Sequence, residues 1–310
     1  MLTPALLQAF FTQSDMRFEG AYKSFIPYWD RFAEMVPSGS ETKVYSWLAR
    51  FPKMKLWVGD KIAHSVKARA YPLTNQDFYD MYEVERNKIE DDLTGVFDRA
   101  PELQGEVAAR WPEDLVTSAL IAGTTAVGYD GAPFFSANHP VDIDDTTLGT
   151  YSNLNTSSAL SATTYAAAKA QMRSFKGEGG VSLQVNPTIL MVGPSNEQMG
   201  KQIVQAQSIT QVVQAAGVNV AAASPANVWA GDTTLIVNER LVDDTAGAWY
   251  LFSTDRVKPL VFQQRKAPTR IPMINPTDPA VFYARKFQFS VEARGVAGYS
   301  LPFLAIKNTP

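Results

Sequence analysis

The stretch from Val66 to Glu85 constrains the fold most, because its pattern is extended and it has little of its own to bury. Val66 to Tyr71 and Asp77 to Glu85 both read as strands, the second through Phe78, Tyr79, Tyr82 and Val84 with acidic residues between. Pro72 to Gln76 separates them and supplies turn residues, so a polar-aromatic hairpin is predicted. Each limb reaches ~20–30 Å at ~3.3 Å per residue. An isolated two-stranded hairpin is marginal in water. This one needs a support, in its own domain or in another chain.

The rest of the chain is large enough to provide one. Its 310 residues suit one large domain or two ordinary ones, with a hydrophobic content of 45%. A chain of this size buries roughly 75% of its unfolded surface without staples. The net charge of −3 argues against a general nucleic-acid binder, which would carry a basic excess. There are no cysteines, which excludes disulfides and thiolate metal sites. The two histidines, His64 and His139, cannot build a histidine-rich metal cluster. Leu2 to Phe11 is apolar but lacks the basic lead of a secretory signal, and no run approaches the roughly 20 apolar residues of a membrane span. An intracellular protein with no membrane partner is expected.

In order along the chain, residues 1–12 read as a helix capped by Thr3, with Leu6, Leu7, Phe10 and Phe11 on one face. A second helical pattern runs from Phe18 to Met35 through Phe25 and Trp29, interrupted by Pro27. These aromatics fit either an ordinary core or an arm that packs on a neighbouring subunit. Lys43 to Arg50 reads as a strand. The main helical rod is predicted over residues 101–123, with Pro101 in its first turn, a kink at Pro112 and a stop at Gly123. Asp130-Gly131 signals a hairpin, and residues 141–161 read as a polar surface loop. Tyr165 to Phe175 is a helix, Pro194 to Ala206 and Ile209 to Ala216 are helix or mixed, and Thr188 to Val192, Val228 to Val237 and Trp249 to Ser253 are strands. A proline-rich run from Pro259 to Pro279 reads as loop. Val281 to Ala293 alternates through Phe287, Phe289 and Val291 as a strand, and Pro302 to Ile306 forms another. Helices and strands mix without regular alternation, so the class is α+β.

Catalytic signals are weak. Gly193 to Lys201 has six residues between Gly193 and Gly200 where a phosphate loop needs four. Ser195 is followed by Glu197 where a nucleophile elbow needs Gly, and a helix cap is the better reading. His139 with Asp142, Asp144 and Asp145 could share a hard cation, yet the spacing lacks the Gly and Glu of a calcium loop, and a solvated acidic loop is favoured. No catalytic, cofactor-binding or metal residue is assigned.

Several blocks nevertheless occur in a telling order. They are Val44-Tyr45-Ser46-Trp47-Leu48-Ala49-Arg50-Phe51-Pro52, Trp57-Val58-Gly59-Asp60, Phe78-Tyr79-Asp80 and Val84-Glu85-Arg86-Asn87-Lys88-Ile89-Glu90-Asp91-Asp92. Tyr129-Asp130-Gly131, Phe134-Phe135 and Asn138-His139-Pro140-Val141 continue the series. Together they resemble the major head subunit of Mu-like phages and prophages. The resemblance is densest over residues 44–141, and departs at Gly128, where some relatives carry Cys.

That resemblance implies the tailed-phage major capsid fold of the Hong Kong-97 type. It places an N-terminal arm and lead-in at 1–59, an extended β-hairpin loop at 60–92, and a peripheral domain with a spine helix at 93–160 and 276–310. The axial domain then takes 161–275. It implies a homo-oligomer of pentamers and hexamers forming an icosahedral head, with no enzymatic activity and no cofactor. A separate scaffolding protein, a portal, decoration proteins and nonspecifically packaged double-stranded DNA are the implied partners, with assembly in the host cytoplasm and a final place in the virion. Inter-subunit contacts are expected at Lys67, Arg69, Asp77, Tyr79, Tyr82, Glu83, Glu85 and Arg86 of the loop. Arm contacts are expected at Phe10, Phe11, Phe25 and Trp29. The competing readings are an encapsulin-like compartment, which would hold a cargo enzyme, and a soluble hydrolase, which would need a concave polar site.

Overall fold

The computed structural model describes residues 4–48, 68–90, 99–143, 146–177, 182–208, 212–215, 218–221 and 226–310. Helix α1 (Pro4–Ser24) leads to strands β1 (Ala33–Pro37), β2 (Thr42–Leu48), β3 (Ala68–Thr74) and β4 (Gln76–Glu85). Helices α2 (Arg86–Glu90) and α3 (Ala100–Ala122) follow, then short strands β5 (His139–Pro140), β6 (Thr150–Tyr151) and β7 (Leu154–Asn155). Next come α4 (Ala162–Ser174), β8 (Ile189–Val192), α5 (Glu197–Val204), β9 (Val212–Ala215), β10 (Val218–Ala221), β11 (Thr234–Val237) and β12 (Trp249–Phe252). The last elements are β13 (Leu260–Met273), α6 (Pro279–Ala284), β14 (Lys286–Tyr299) and β15 (Ala305–Asn308).

Two sheets share one helix. The first has the order β1-β13-β14-β4, with β1 parallel to β13 and the other pairs antiparallel. On β14 the predicted alternation holds: Phe287, Phe289, Val291 and Ala293 are buried because side chains point to one face every second residue. Helix α3 lies on that face. It starts with Pro101, where a missing N–H costs nothing, and runs on through Pro112. Its Val116 and Leu120 are fully buried, and Trp111 meets Phe262 edge-on at 5.4 Å.

The second sheet has the order β11-β8-β12-β15-β7. All residues of β8 and β12 are buried, so their sequences are unbroken apolar runs. Met191, Tyr250 and Phe252 join the core around α3, while Leu190, Val192, Trp249 and Leu251 pack towards α4 and α5. Helix α4 opens with a reciprocal cap. The Thr164 N–H donates to Ser161 Oγ at 3.1 Å, and the Ser161 N–H donates to Thr164 Oγ1 at 2.9 Å. A cap of this kind contributes about 1 kcal/mol.

The structure departs from the sequence reading in several places, among them residues 281–284, which open the predicted strand but lie in α6. The predicted hairpin of Val66–Tyr71 with Asp77–Glu85 does not form: β3 pairs with β2, and β4 pairs with β14 over ten positions. The segment Pro72–Gln76 is no turn, since Pro72 continues β3 opposite Val44. The helix expected at Phe18–Met35 ends at Ser24, three residues before Pro27, and Ala33–Pro37 is a strand whose Ala33 is buried in the core. The proline-rich run is mostly strand β13. Its Pro268 falls where the register with β14 shifts, and beyond Gln264 the strand has no partner on its other side among the described residues, so prolines are tolerated. The 276–310 segment, expected in the peripheral domain, supplies β14 to the first sheet and β15, antiparallel to β12, to the second.

Candidate subunit-contact surfaces

Strands β2 and β3 form a seven-pair antiparallel ribbon that belongs to neither sheet. Its root is held by buried amides. The Tyr45 hydroxyl donates to Gln263 Oε1 at 3.0 Å, and Gln263 Nε2 donates to Asn75 Oδ1 at 2.8 Å. Asn75 Nδ2 in turn donates to the carbonyls of Ser40 and Glu41 at 2.9 and 3.0 Å. Burial pushes the Tyr45 phenol up to about 12. Val44 stays exposed on the ribbon. The chain between the two limbs, 49–67, lies outside the described residues, and Lys67 with it.

The other residues expected at the loop contact divide between two elements. Arg69 is on β3 opposite Trp47. Asp77, Tyr79, Tyr82, Glu83 and Glu85 are on β4, inside the first sheet, and Arg86 opens α2 with its N–H donating to the Arg285 carbonyl at 2.9 Å. Asp77 pairs with Arg294 at 3.1 Å and Glu85 with Lys88 at 3.7 Å. Glu83 pairs with Lys286, whose hydrogen bond holds its carboxyl below the usual range. Exposed pairs of this kind contribute little to stability, because water and salt screen them. Tyr82 is turned inwards, stacked on Phe289 at 5.0 Å. Tyr79 and Met81 point the other way and are exposed.

Helix α1 is folded back on its own subunit. Phe11 sits against Phe287 at 5.1 Å and Phe289 at 6.1 Å, and Phe18 packs with Ala108 and Val291. Arg270 bridges the helix to the sheet: its guanidinium lies 4.7 Å from the Phe289 ring and 5.6 Å from that of Phe18. It donates to Ser14 Oγ at 2.8 Å and Tyr82 Oη at 3.0 Å, and pairs with Asp15. Phe11 and Trp29 are buried within the subunit, Trp29 against Phe262 at 5.0 Å, because this chain's own sheet offers them an apolar seat. Phe10 and Phe25 are half-buried, Phe25 beneath Arg110 at 5.8 Å.

The residues that seat α1 were not singled out by the sequence. Arg270 lies in the proline-rich run, and Gly105 lies within the helical pattern without comment. A Cβ added at Gly105 would come 2.5 Å from the Phe18 carbonyl oxygen and 3.0 Å from Ala21 Cβ. Replacing a helical Gly by Ala normally stabilises by about 1 kcal/mol. Gly105→Ala is expected to reverse that sign and destabilise by ~1–3 kcal/mol through overpacking. Thermal unfolding checks this, and a raised melting temperature would refute the crossing.

The interior polar residues form locks. His139 is fully buried, with Nδ1 2.6 Å from Asp130 Oδ2. Asn153 Nδ2 donates to the carbonyls of Phe134 at 2.8 Å and Pro302 at 3.0 Å, which fixes its amide. Asn153 Oδ1 then accepts from the Ser136 N–H at 2.8 Å and from His139 Nε2 at 3.0 Å. The Asp130-Gly131 turn and the Asn138-His139-Pro140 block thus meet in one buried network. A second lock joins Lys307 Nζ to Asp244 Oδ1 at 2.6 Å beside Tyr250. Of the acidic cluster, Asp142 is buried, while Asp144 and Asp145 lie outside the described residues. Among the described residues no group of three or more histidines and carboxylates is placed to hold a metal. Ser195 sits inside a single 3-10 turn, and no side-chain cap is made at the start of α5.

Comparison with known proteins gives a consistent result. The profile of a family described as Mu-like prophage major head subunit gpT matches residues 7–159, 155–241 and 224–309. The chain is 24% identical over 301 residues to the Mu-like prophage FluMu major head subunit of Haemophilus influenzae, covering 96% of this chain and 71% of that one. It is 32% identical over 162 residues to the major capsid protein of Escherichia phage Mu, 52% of each chain. Among solved structures, a chain of the procapsid of bacteriophage JBD30 matches with a TM-score of 0.59 at 25% identity, covering 100% of this chain and 76% of that one.

Proposed function

The chain belongs to the Mu-like prophage major head subunit family and is a major capsid protein, and on that premise we propose how its parts divide the work of building a shell. The four-stranded sheet with α3 is the peripheral unit, and α3 is its spine helix. The five-stranded sheet with α4 and α5 is the axial unit, which meets its equivalents at the centre of each pentamer or hexamer. The ribbon β2–β3, together with residues 49–67, is the extended loop that lies across the adjacent subunit. This moves the loop N-terminal to the 60–92 span that the sequence suggested. Rings that close by rotation use the same heterologous contact at every subunit.

The observation that carries this division is the ribbon. Its two strands pair with each other and join neither sheet, and among the described residues the root is tied to β13 through Tyr45 and Leu73. A two-stranded ribbon of that kind gains its stability from something beneath it. The role is structural, not enzymatic. The shell encloses double-stranded DNA without base recognition, in keeping with the net charge of −3. A separate scaffolding protein, a portal and decoration proteins act with it, assembly takes place in the host cytoplasm, and the mature protein resides in the virion.

Negative-stain microscopy of the purified full chain tests the reading. Uniform shells or partial capsomers are expected, with nuclease-protected double-stranded DNA inside particles recovered from lysing cells. A chain that stays monomeric at all concentrations would overturn it, and an enclosed enzyme in place of DNA would favour a cargo compartment.

A further inference from the structure

Between α3 and the β4 edge of the first sheet lies an apolar hollow of about 130 Å³. Phe78, Val107, Trp111, Pro268, Val291 and Ala293 line it. A cavity of roughly 150 Å³ is enough to hold one benzene ring. Two polar atoms of its lining are buried without a hydrogen-bond partner: the acceptor Gln104 Oε1 and the donor Trp111 Nε1. Buried polar atoms are nearly always satisfied, so each orphan calls for an explanation. A flat apolar ring bearing one atom that can donate and accept would suit both the apolar lining and the two orphans. A phenol is such a group.

The chain carries twelve tyrosines, and two are exposed, Tyr79 and Tyr283. Tyr79 borders the hollow through its strand, but its ring points to the opposite face of β4. Tyr283 is 84% exposed on α6, beside Phe282 at 69% exposure, so two large rings stand in solvent at the far end of the β13–β14 pair. Tyr283 cannot reach the hollow of its own subunit. From Lys286 to Val291 and Ala293 the distance along β14 is roughly 17–23 Å. Charge is complementary as well. Arg285, next to Tyr283, has no ion-pair partner among the described residues, and the carboxylate of Asp80 stands exposed at the hollow.

We propose that Tyr283 of one subunit inserts into the hollow beside α3 of a neighbouring copy, its hydroxyl donating to Gln104 Oε1 and accepting from Trp111 Nε1, with Arg285 facing Asp80. The contact is heterologous, a knob and a hole on different parts of one chain, which propagates from subunit to subunit. The inference rests on the assembly reading given above, and the test separates the two.

The absence of native cysteines makes the contact directly addressable. In shells assembled from the full-length Val107→Cys/Phe282→Cys variant, which keeps Tyr283, a short bis-maleimide is expected to produce covalent dimers and higher multimers, while either single variant remains unlinked at that contact. Shells visible by microscopy with no covalent multimers would overturn the contact and leave the assembly reading intact. Absence of shells from the unmodified chain would instead overturn the assembly reading. A cross-link from Val107→Cys to Trp57→Cys would also overturn the contact, since the neighbour's loop would then fill the hollow. In parallel, Tyr283→Ala is expected to lower shell yield on the order of 30-fold, as loss of a buried aromatic anchor does. Tyr283→Phe should fall between, because it keeps the ring and loses the hydroxyl. Melting of the isolated subunit should stay unchanged in both, and full assembly of Tyr283→Ala would refute the proposal.

Discussion

Joining Leu48 to Ala68 through a short Asn-Gly turn, with 49–67 removed, is expected to leave a folded subunit that forms no shells. The β2–β3 pairing and the amides at its root remain in this variant, and every described residue of both sheets is retained. Its melting temperature should stay within a few degrees of the parent. Assembly should fall at least ~100-fold, the factor that about 3 kcal/mol of lost contact produces. Sedimentation and microscopy read both outcomes in one sample, and shells of normal yield and stability would refute the loop assignment. The larger deletion that the sequence invites, 66–85, is not a clean test. It removes β4, whose ten pairs with β14 complete the first sheet, and with it the buried Val84.

The second large effect concerns the fold. His139→Ala leaves the Asp130 carboxyl buried, 3% exposed, with its ring partner gone, and takes a donor from Asn153 Oδ1. Breaking a buried pair by removing one member costs about 3–5 kcal/mol. At roughly 2–4 °C per kcal/mol, melting should drop by about 6–20 °C. Removing both partners, as in Asp130→Leu/His139→Leu, is expected to cost less than the sum of the two single losses, because no charge is left unpaired. Equal melting of His139→Ala and the parent would show that the network carries no strain of desolvation and would refute its role as a lock.

What could be read from the sequence, and what could not, follows from the range of the interactions involved. The spine helix was legible because a three-to-four-residue repeat and Pro101 are local signals, and Ala100–Ala122 matches the predicted rod closely. The alternation on β14 was equally plain. Strand partners were not, since β4 finds β14 some two hundred residues away, and no local pattern distinguishes that partner from β3. The prolines of β13 pointed to a loop because edge position is a property of the sheet, not of the strand. The block around Asn138-His139-Pro140 was visible as a motif, but its meaning lay in Asp130 and Asn153, which join it only in three dimensions. Arg270 and Gly105 were silent for the same reason: each is explained by α1 crossing above it.

The pairing of β13 with β14 shifts register twice, between Gln264 and Lys266 and between Lys266 and Thr269, while the neighbouring β14–β4 ladder is continuous. Such irregularities bend a strand and sharpen its twist. Fourteen residues give each strand a span of roughly 45 Å, and the two shifts at 264–269 fall between the end that meets β1 and the end that carries α6. The extra twist is taken up on the β13 side alone, while the unbroken β14–β4 ladder runs past it. The β13–β14 pair therefore reaches α6 with a direction set by β13, and the unbroken edge of the same sheet keeps the strand under α1 and α3 straight.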